Sequence, residues 1–418
     1  MKFIADFHVH SKYSRATSRD MEVDSLAKWA KLKGIGLLGT GDFTHPTYFA
    51  ELKEKLKPLG NGLFVPKDGG SSANFILTTE ICNIYHQKDK LRKIHTMIFA
   101  PSFEVVDKIN LKLGKFGKLT SDGRPIFTFP GKDLVKMILD ISDKCLIVPA
   151  HAWTPWFSIF GANSGFDSIQ ECFGEDSKHI HCIETGLSSD PQMNWRVSKL
   201  DKICLISNSD AHSPSKIGRE ANVFDCNLDY YEIIQAIKSK DKKRFLFTIE
   251  FFPEEGKYHF DGHRNCGILF SPKESKEKNN VCPVCHRKLT VGVMHRVEDL
   301  CDREEGFVPQ NAIPAKHLIP LQEIVAEALG QGTDTKAVEN EYQRLVGVFG
   351  SEFAILLDIS LDDLSKSASP RMVEGIKRTR QGDLTIVPGH DGVFGKISIF
   401  GEEKTGQTKQ KPDQLQLF

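Results

Sequence analysis

The stretch Met1-Lys2-Phe3-Ile4-Ala5-Asp6-Phe7-His8-Val9-His10 decides the fold, because a short apolar run leads directly into two histidines. Other short apolar runs also end close to a histidine, aspartate or glutamate. These runs and their end points are 36–39 before Asp42, 75–77 before Glu80, 146–148 before His151, 182–183 before Glu184 and 204–206 before Asp210. Strands that end in such side chains are what a βα barrel needs to collect polar groups at one mouth. We therefore expect a barrel with a polar site at the carboxyl ends of its strands.

Residues 1–250 alternate strand-like and helix-like segments. Asp24 to Lys33 has helical apolar spacing and is followed by Gly34, a residue typical of helix ends. The other predicted elements are strands at 3–5, 145–149, 203–207 and 245–249 and helices at 131–142, 191–200 and 229–239. Repeated βα units predict an α/β domain that is a distorted parallel barrel, with about seven rather than eight strands.

The composition of the chain changes after residue 250. Residues 251–308 carry clustered cysteines, and the polar stretch 273–280 within them predicts a loop. Residues 309–401 show helical spacing at 321–329, 337–348 and 371–381, so a mainly helical domain is expected there. Residues 402–418 are charged and polar with Gly and Pro, which predicts a flexible tail.

The overall composition is that of an ordinary soluble protein. The chain has 418 residues, a length that predicts two or three domains, and its 55 basic residues equal its 55 acidic ones. This balance excludes a globally basic DNA-coating protein but leaves local basic patches open. No apolar run approaches the ~20 residues of a membrane span, so no membrane partner is expected. Asp6 and His8 come too early for a signal peptide, and isolated cysteines such as Cys145 indicate reduced core thiols. A cytoplasmic, nucleoid-associated location is expected.

The histidines and carboxylates at the predicted strand ends indicate a metal site. His8 and His10 are two apart on a strand, so both imidazoles point to the same face. Chance could explain this pair alone, but it does not explain the whole set. Imidazole and carboxylate together suit zinc, manganese or iron, and a carboxylate can bridge two ions. The candidate ligands are His8, His10, Asp42, His45, Glu80, His95, His151, Glu184, Asp210 and His212. A multinuclear site that cleaves phosphate esters is the leading hypothesis.

These motifs resemble those of the PHP (polymerase and histidinol phosphatase) superfamily. Its members have a distorted (βα)7 barrel and a trinuclear metal site, and they hydrolyse phosphomonoesters or phosphodiesters. The resemblance implies that Glu80 bridges two metals. The ligands implied for the first metal are His8, His10, Glu80 and Asp210, and those for the second are Glu80, His95 and His151. The expected catalytic groups are Asp210, Glu80 and His212.

The third metal of this resemblance is the least clearly encoded. It would lie at His212 with either Asp42 or His45, which are three residues apart here and adjacent in the usual pattern. The usual histidine shortly after the first motif is missing, with Ser14 in that region. Glu184 is either a further ligand or a carboxylate behind the ligands.

A second metal site is predicted within 251–308. His263-x-x-Cys266 and Cys282-x-x-Cys285 are two tight turns, and each can present two ligands to one tetrahedral zinc. His286, His295 or Cys301 could replace His263 as the fourth ligand. A closed shell of this kind leaves no open position, so a structural zinc is expected.

Two further features suggest partners. Lys112, Lys115, Lys118 and Arg124 lie among phenylalanines, a mixture that suits phosphate contacts and base stacking, although a solvated helix face is the alternative. The end of the chain carries apolar anchors at Gln414, Leu415, Leu417 and Phe418, and this segment resembles the short peptide with which bacterial replication and repair proteins bind the sliding clamp. A strand that docks on its own domain is the alternative.

The whole arrangement resembles the endonuclease Q family, which joins a PHP barrel to a small zinc-binding domain and a helical C-terminal domain. The segments that carry this resemblance beyond the barrel are 258–266, 282–285, 289–298 and 386–395. It implies cleavage of DNA on the 5′ side of deaminated bases (uracil, hypoxanthine, xanthine) and of abasic sites, after the lesion nucleotide is extruded. Zinc is the expected structural metal, and zinc, magnesium or manganese the expected metal of the barrel.

Two other functions would fit some of the same residues. A PHP phosphomonoesterase acting on a small metabolite is the runner-up, but it would need neither a zinc domain nor a clamp-binding tail. An inactive barrel serving as a DNA-binding module would not need to keep so many clustered carboxylates and histidines. The chain has no Gly-x-x-x-x-Gly-Lys-[Ser/Thr] loop, which argues against an ATP-driven helicase.

Overall fold

The computed structural model describes residues 1–69 and 73–401. The proposed clamp-binding residues Gln414, Leu415, Leu417 and Phe418, with the rest of the tail 402–418, lie outside the described residues. Their role therefore stays a prediction.

The strands of the described residues are mostly short and lie largely within the first 250 residues. They are β1 (Lys2–Asp6), β2 (Leu37–Gly39), β3 (Leu56–Pro58), β4 (Phe64–Pro66), β5 (Asn74–Gln87), β6 (Lys90–Ala100), β7 (Ile126–Phe127), β8 (Leu146–Pro149), β9 (Cys182–Glu184), β10 (Cys204–Ile206), β11 (Ala221–Asp225), β12 (Phe245–Glu250), β13 (Asp261–His263), β14 (Ile268–Phe270), β15 (Ala315–His317), β16 (Thr385–Val387) and β17 (Lys396–Ser398).

The helices of the described residues include those predicted at 24–33, 131–142, 229–239, 321–329, 337–348 and 371–381, each within one residue of its predicted bounds. They are α1 (Val23–Lys33), α2 (Pro46–Lys55), α3 (Phe103–Leu113), α4 (Gly131–Ile141), α5 (Ile169–Phe173), α6 (Pro191–Trp195), α7 (Tyr230–Ser239), α8 (Pro272–Glu277), α9 (Val293–Leu300), α10 (Leu321–Leu329), α11 (Lys336–Phe349), α12 (Leu361–Ser365) and α13 (Pro370–Gln381). The helix expected at 191–200 is shorter than predicted, and a 3₁₀ turn at 198–200 follows it.

One predicted loop is a helix. The polar stretch 273–280 was expected to be irregular, but α8 occupies most of it. Ser271 accepts a hydrogen bond from the backbone N–H of Glu274, and the Glu274 side chain accepts one from the N–H of Ser271. This capping box, together with Pro272 at the first helical position, stabilises a helix that carries little apolar periodicity.

The main sheet is mixed rather than purely parallel, which corrects one part of the barrel expectation. Its strand order is β15-β12-β11-β1-β2-β5-β4-β3, and β6 pairs with both β5 and β8. The pairs β1–β2 and β2–β5 are parallel, whereas β1–β11, β11–β12, β5–β6 and β6–β8 are antiparallel. The long β5–β6 hairpin turns at Lys88 and Asp89, which both have positive φ, as tight hairpin turns require.

The sheet closes on itself in a barrel-like way. β9 and β10 form a parallel pair, and Ala152, just after β8, donates its N–H to the carbonyl of Glu184 at the end of β9. On the other side, Val9 forms a bridge with Ala211, so the chain leaving β10 returns to the chain leaving β1. The distorted barrel expected from the sequence is therefore present, with antiparallel strands as its distortion.

The barrel interior is filled by aromatic rings below its mouth. Phe7 is fully buried, and its ring centroid lies 5.3 Å from that of Phe99 and 6.1 Å from that of Phe224. Burial of side chains of this size contributes about 1.5–3 kcal/mol each. The polar groups at the mouth therefore sit on a packed, apolar floor.

The C-terminal region is helical but also contributes a strand to the main sheet. Within the 309–401 region, β15 pairs in parallel with β12, so the expected domain is not separate from the barrel sheet. The Lys33 ammonium lies 2.9 Å from Glu352, and both side chains are only 4 % exposed. This buried ion pair joins α1 of the barrel to the segment after α11. No helix among the described residues combines the length and the apolar character needed to cross a membrane.

Candidate metal centre

Three of the predicted ligands sit in strained backbone at the barrel mouth. Asp42, His151 and Asp210 have φ values of 43°, 29° and 48°, in the left-handed region. Non-glycine residues rarely adopt this conformation, and clusters of such residues are typical of functional sites. Each follows a strand end, so the strain directs side chains from separate strands towards one point.

The first candidate metal position is formed by His8, His10 and Asp210. Their ligand-type atoms all lie within 4.8 Å of one another. His10 Nε2 is 2.9 Å and His8 Nε2 is 3.6 Å from Asp210 Oδ1. These three atoms are buried, yet none has a partner in hydrogen-bond geometry among the described residues. Buried donor atoms that converge without satisfying one another are what a bound divalent cation would satisfy.

The second candidate position is formed by Glu80, His95 and His151. Glu80 Oε1 lies 2.9 Å from His95 Nδ1 and 3.0 Å from His151 Nε2. The other oxygen, Oε2, lies 3.4 Å from His10 Nε2 of the first group. Glu80 therefore stands between the two groups, in the place expected of a bridging carboxylate.

The electrostatics of the mouth favour positive charge at these positions. Burial opposes a charged His10, but Asp42 and Asp210 raise the pKa of its imidazole to about 10. Burial lowers the pKa of His95 to about 4, so this imidazole is neutral and can act as a ligand. Although burial opposes ionisation, His95 and Arg124 hold the pKa of Glu80 well below its usual range. The ionised carboxylates make the mouth negative, and this favours a positive charge close to them, either a protonated histidine or a bound metal ion.

Asp42 lies behind His10 and outside both three-residue groups of the described residues, and its place at a third metal stays a prediction. Its Oδ1 is 3.1 Å from His10 Nδ1, the nitrogen that points away from the first group. Its Oδ2 accepts hydrogen bonds from the N–H and hydroxyl of Ser11 and from the hydroxyl of Ser14. Carboxylates in this position fix the tautomer and orientation of a ligating histidine.

Glu184 has the same role for His8. His8 Nδ1 lies 3.0 Å from Glu184 Oε1, His151 donates its backbone N–H to Oε2 at 2.7 Å, and the Asn208 amide donates to Oε1 at 2.9 Å. Both oxygens are therefore occupied by fixed donors. Of the two alternatives that the sequence left open, the structure favours a carboxylate behind the ligands.

His45 lies outside both three-residue groups of the described residues, and its place at a third metal stays a prediction. It caps α2 by accepting the N–H of Tyr48, and its ring stacks on Tyr13 with centroids 4.3 Å apart. His212 does lie at the mouth, where its ring centroid is 4.5 Å from that of His10, and it is not part of either three-residue group in the described chain.

Arg124 lies inside the metal site, a position that was not predicted from the sequence. It was grouped with a basic surface, but its Nη1 donates to Glu80 Oε2 at 2.9 Å inside the site. Lys112, Lys115 and Lys118 are exposed on the end of α3 and the following loop, as a phosphate-contacting surface requires. The same loop leads directly to Arg124. No local sequence signal marked this position, since Lys115 and Lys118 also follow a glycine.

Asp6 was also missed, although it stands at the end of β1. It is fully buried and accepts hydrogen bonds from the hydroxyl and N–H of Ser209 and from the N–H of Gly218. Burial raises the pKa of this carboxyl to about 6. Asp6 therefore ties the loop that carries Asp210 to the strand that carries His8.

The second metal site predicted from the sequence is assembled in the structure. The ligand atoms of His263, Cys266, Cys282 and Cys285 lie within 4.8 Å of one another. The β13–β14 hairpin supplies the first pair and the turn after α8 supplies the second.

The structure also settles which histidine completes this set. His295 is bound to Asp261, and Cys301 contacts the Arg196 guanidinium. His286 is not part of the group among the described residues. The alternatives to His263 are thereby excluded by their own contacts or positions.

Comparison with known proteins gives matches over parts of the chain and over nearly all of it. The family model described as the MJ0043 C-terminal domain matches residues 320–383. Uncharacterized protein MJ0043 of Methanocaldococcus jannaschii is 33 % identical over 257 residues, which are 60 % of this chain and 31 % of that protein. The chain thus spans less than a third of that relative. Uncharacterized protein YqxK of Bacillus subtilis is 30 % identical over 411 residues, covering 95 % of this chain and 99 % of YqxK.

Two solved structures match the full length. The lesion-specific endonuclease PfuEndoQ from Pyrococcus furiosus superposes with a TM-score of 0.85 at 31 % identity, covering 97 % of this chain and 98 % of that one. The chain belongs to the endonuclease Q family. A structure of endonuclease Q in complex with a 27-mer duplex, with an abasic lesion at the active site, superposes with a TM-score of 0.82 at 31 % identity and 95 % coverage of this chain.

Membership of the endonuclease Q family confirms the fold and the enzyme class expected from the sequence. The chain is a metal-dependent phosphodiesterase of the nuclease type. The clustered ligands described above are suited to hold a divalent metal cofactor. The MJ0043 C-terminal match falls within the region expected to be mainly helical.

Proposed function

We propose that this chain is a DNA repair endonuclease that hydrolyses the phosphodiester on the 5′ side of deaminated bases (uracil, hypoxanthine, xanthine) and of abasic sites. One observation carries the proposal: the buried Glu80-centred cage of histidines and carboxylates opens at the mouth of a barrel that matches a lesion-specific endonuclease over nearly its whole length. Its relative was solved with an abasic lesion in a duplex at the active site, which supports damaged DNA as the substrate.

The residues of the mouth fit divalent metal ions and a phosphodiester together. His8, His10 and Asp210 would hold one ion, and Glu80, His95 and His151 a second. Ions bound there would lower the pKa of a coordinated water towards neutrality and neutralise charge on the phosphate. Imidazole and carboxylate donors suit zinc, magnesium or manganese as the divalent cation.

Arg124 and His212 supply the remaining chemistry from the chain itself. Arg124 lies beside Glu80 and carries a planar guanidinium, which can hold two phosphate oxygens at once. Burial lowers the pKa of His212, so its ring is neutral. Its Nδ1 lies 2.8 Å from the carbonyl oxygen of Asp210, an acceptor, so the ring proton resides on Nδ1. His212 Nε2 is then an unprotonated acceptor that can take a proton from the attacking water.

Selection of deaminated bases would begin with extrusion of the nucleotide. A deaminated base pairs weakly with its partner, and an abasic site has no pair to break, so both lower the cost of leaving the helix. Lys112, Lys115 and Lys118 would neutralise flanking phosphates, a contribution that falls with salt. The His263–Cys266–Cys282–Cys285 group would bind a structural zinc, since four such ligands leave no open position.

The decisive experiment uses labelled duplexes that each carry one uracil, hypoxanthine or abasic site, with Mg²⁺ or Mn²⁺ added. Wild type should make a single cut immediately 5′ of the lesion and leave the undamaged duplex intact. Asp210→Asn should lose cleavage by about two orders of magnitude or more, because a ligand is lost, yet bind the duplex within about threefold. Turnover of a small phosphomonoester without any cut at a lesion would replace the proposal with a metabolite phosphatase.

A further inference from the structure

Phe394 is the most exposed large apolar side chain of the described residues, at 73 %. It lies in the turn 388–395 between β16 and β17. Val387 and Val393 beside it are also exposed, at 51 % and 43 %. Single exposed apolar residues are common, but an exposed ring that is flanked by further apolar side chains marks an interaction surface.

The turn that carries Phe394 is held by backbone hydrogen bonds to residues 254–257, at the start of the predicted zinc-binding region 251–308. Gly389, Gly392 and Gly395 donate their N–H groups to the carbonyls of residues 254, 257 and 255 at 2.8, 2.9 and 3.0 Å. A Cβ atom at Gly395 would collide with the carbonyl oxygen of Glu254, so only glycine permits this approach. The ring of Phe394 is therefore presented in a fixed position.

Asp391, in the same turn, adds a second anchor. Its carboxylate accepts the N–H of Arg264 at 2.8 Å and the hydroxyl of Thr290 at 2.6 Å. Both partners belong to the zinc-binding region. These bonds fix the backbone of the turn at a second point, so little backbone entropy is lost when the turn contacts a binding partner.

Phe394 lies in a cleft beside the loops that follow β8 and β9. It lines a cleft of about 200 Å³ together with Pro155, Ser188 and Tyr258. Pro155 follows the ligand His151 by four residues, and Ser188 lies on the loop that leaves β9. The ring thus stands beside the loops that carry the metal-binding groups.

The surroundings of the ring are cationic and aromatic. The Lys257 ammonium lies 5.7 Å from the ring centroid of Phe394 and 5.8 Å from that of Tyr258. Trp156 is 46 % exposed, and its ring centroid lies 6.1 Å from that of Tyr258. Aromatic rings beside a lysine suit bases and phosphates, whereas a protein partner would not require the positive charge.

We propose that Phe394 enters the base stack of the DNA at the position that the extruded lesion nucleotide leaves, and that Lys257 contacts the neighbouring phosphate. Extrusion leaves a gap in the stack, and a rigid apolar ring can fill it and so stabilise the opened duplex. This role rests on the proposed function. It makes Phe394 a positioning residue, since the ring touches the flanking bases and not the reacting phosphate.

The test compares two duplexes with the same uracil. In the first the uracil is fully paired, and in the second it lies in an unpaired bubble, where no base has to be displaced. Phe394→Ala should lower the ratio of the cleavage rate on the paired duplex to that on the bubble by about tenfold, because stacking of a base on an aromatic ring is of this order. Phe394→Tyr, which keeps the ring, should restore the ratio.

A matched control is Phe307→Ala. Phe307 is 44 % exposed, and its ring also lies beside a cation, the Arg303 guanidinium at 4.2 Å. Arg303 is bound to Asp201, which precedes β10 and so lies at the opposite end of that strand from Asp210. This variant should leave the ratio unchanged.

A second readout follows base unstacking directly. With 2-aminopurine next to the uracil, binding should raise the fluorescence, and Phe394→Ala should remove most of that rise; both are measured in the Asp210→Asn background so that the DNA stays intact. An unchanged ratio, or equal loss on both duplexes, would overturn the role of Phe394 while lesion cleavage by wild type still stands. If wild type cuts neither duplex, the proposed function itself fails.

Discussion

Replacement of Glu184 by glutamine tests whether this carboxylate orients the metal ligands from behind. The two oxygens of Glu184 receive N–H groups from fixed positions, the backbone of His151 on Oε2 and the amide of Asn208 on Oε1. An amide in place of the carboxylate must turn its NH₂ towards one of these donors. Asn208 cannot rotate to relieve the conflict, because its Oδ1 already accepts from Phe7 and Asn222.

The expected loss of metal affinity and activity in Glu184→Gln follows from the hydrogen bonds that the substitution removes. Glu184→Gln loses one buried hydrogen bond to a charged group, which is about 1.5–3 kcal/mol, and it also loses the charge that orients His8. Loss of such an outer partner typically lowers metal affinity or activity about 10–100-fold. The two estimates agree, since about 1.4 kcal/mol corresponds to a factor of ten.

The assay is a titration of lesion cleavage with Mn²⁺, combined with calorimetric metal binding to the protein alone. Glu184→Gln should shift both midpoints to higher metal concentration by about 10–100-fold. Glu54→Gln, an exposed glutamate on α2, is the matched control and should shift neither. Thermal unfolding without added metal separates a loss of folding from a loss of metal binding.

Two outcomes would refute the reasoning. Metal affinity and cleavage of Glu184→Gln within about twofold of wild type would show that the carboxylate does not orient His8. A loss as large as that of His8→Ala would place Glu184 among the direct ligands. Only an intermediate loss agrees with the position found behind His8.

Three further predictions concern the rest of the chain. Cys282→Ser should lower the zinc content of the purified protein by about one ion and reduce its melting temperature, whereas His286→Ala should change neither; equal zinc in both variants would contradict the four-ligand site. Glu352→Ala should lower the free energy of unfolding by about 3–5 kcal/mol, since it leaves Lys33 buried without its partner, and denaturant unfolding of both proteins measures this. Removal of residues 414–418 should abolish binding to a purified sliding clamp without slowing cleavage of short duplexes, and slower cleavage would instead indicate that the segment docks on its own domain.

Much of the candidate site was predictable because metal ligands at strand ends leave a local signature. His8, His10, Glu80, His95, His151 and Asp210 were all named from the sequence, and the structure brings them together. The zinc-type group was equally visible, since two pairs of ligands with two-residue gaps are a local property. What the spacing could not show was which carboxylates touch the metal position and which stand behind it.

Whether a carboxylate touches the metal position or stands behind a ligating histidine depends on distances of a few ångströms between segments that are far apart in sequence. Asp42 was one alternative for a third metal and Glu184 was left open between a ligand and a carboxylate behind the ligands, and each lies behind a histidine of the first group. Arg124 was expected on a DNA-binding surface and lies against Glu80. Each of these contacts is made only after the strands have paired, so no pattern within one segment could reveal it.

The sequence by itself determined the α/β class, the bounds of several helices, the strand-end ligands and three cysteines of the second ligand set, because these follow from local periodicity and from short ligand spacings. Tertiary structure alone decided the antiparallel strands that distort the barrel, the division of the carboxylates into two layers, and the presentation of Phe394 beside the mouth. The physical reason is that pairing direction and side-chain contacts across the sheet are set by packing between distant segments, whose free energy is not encoded at any single position.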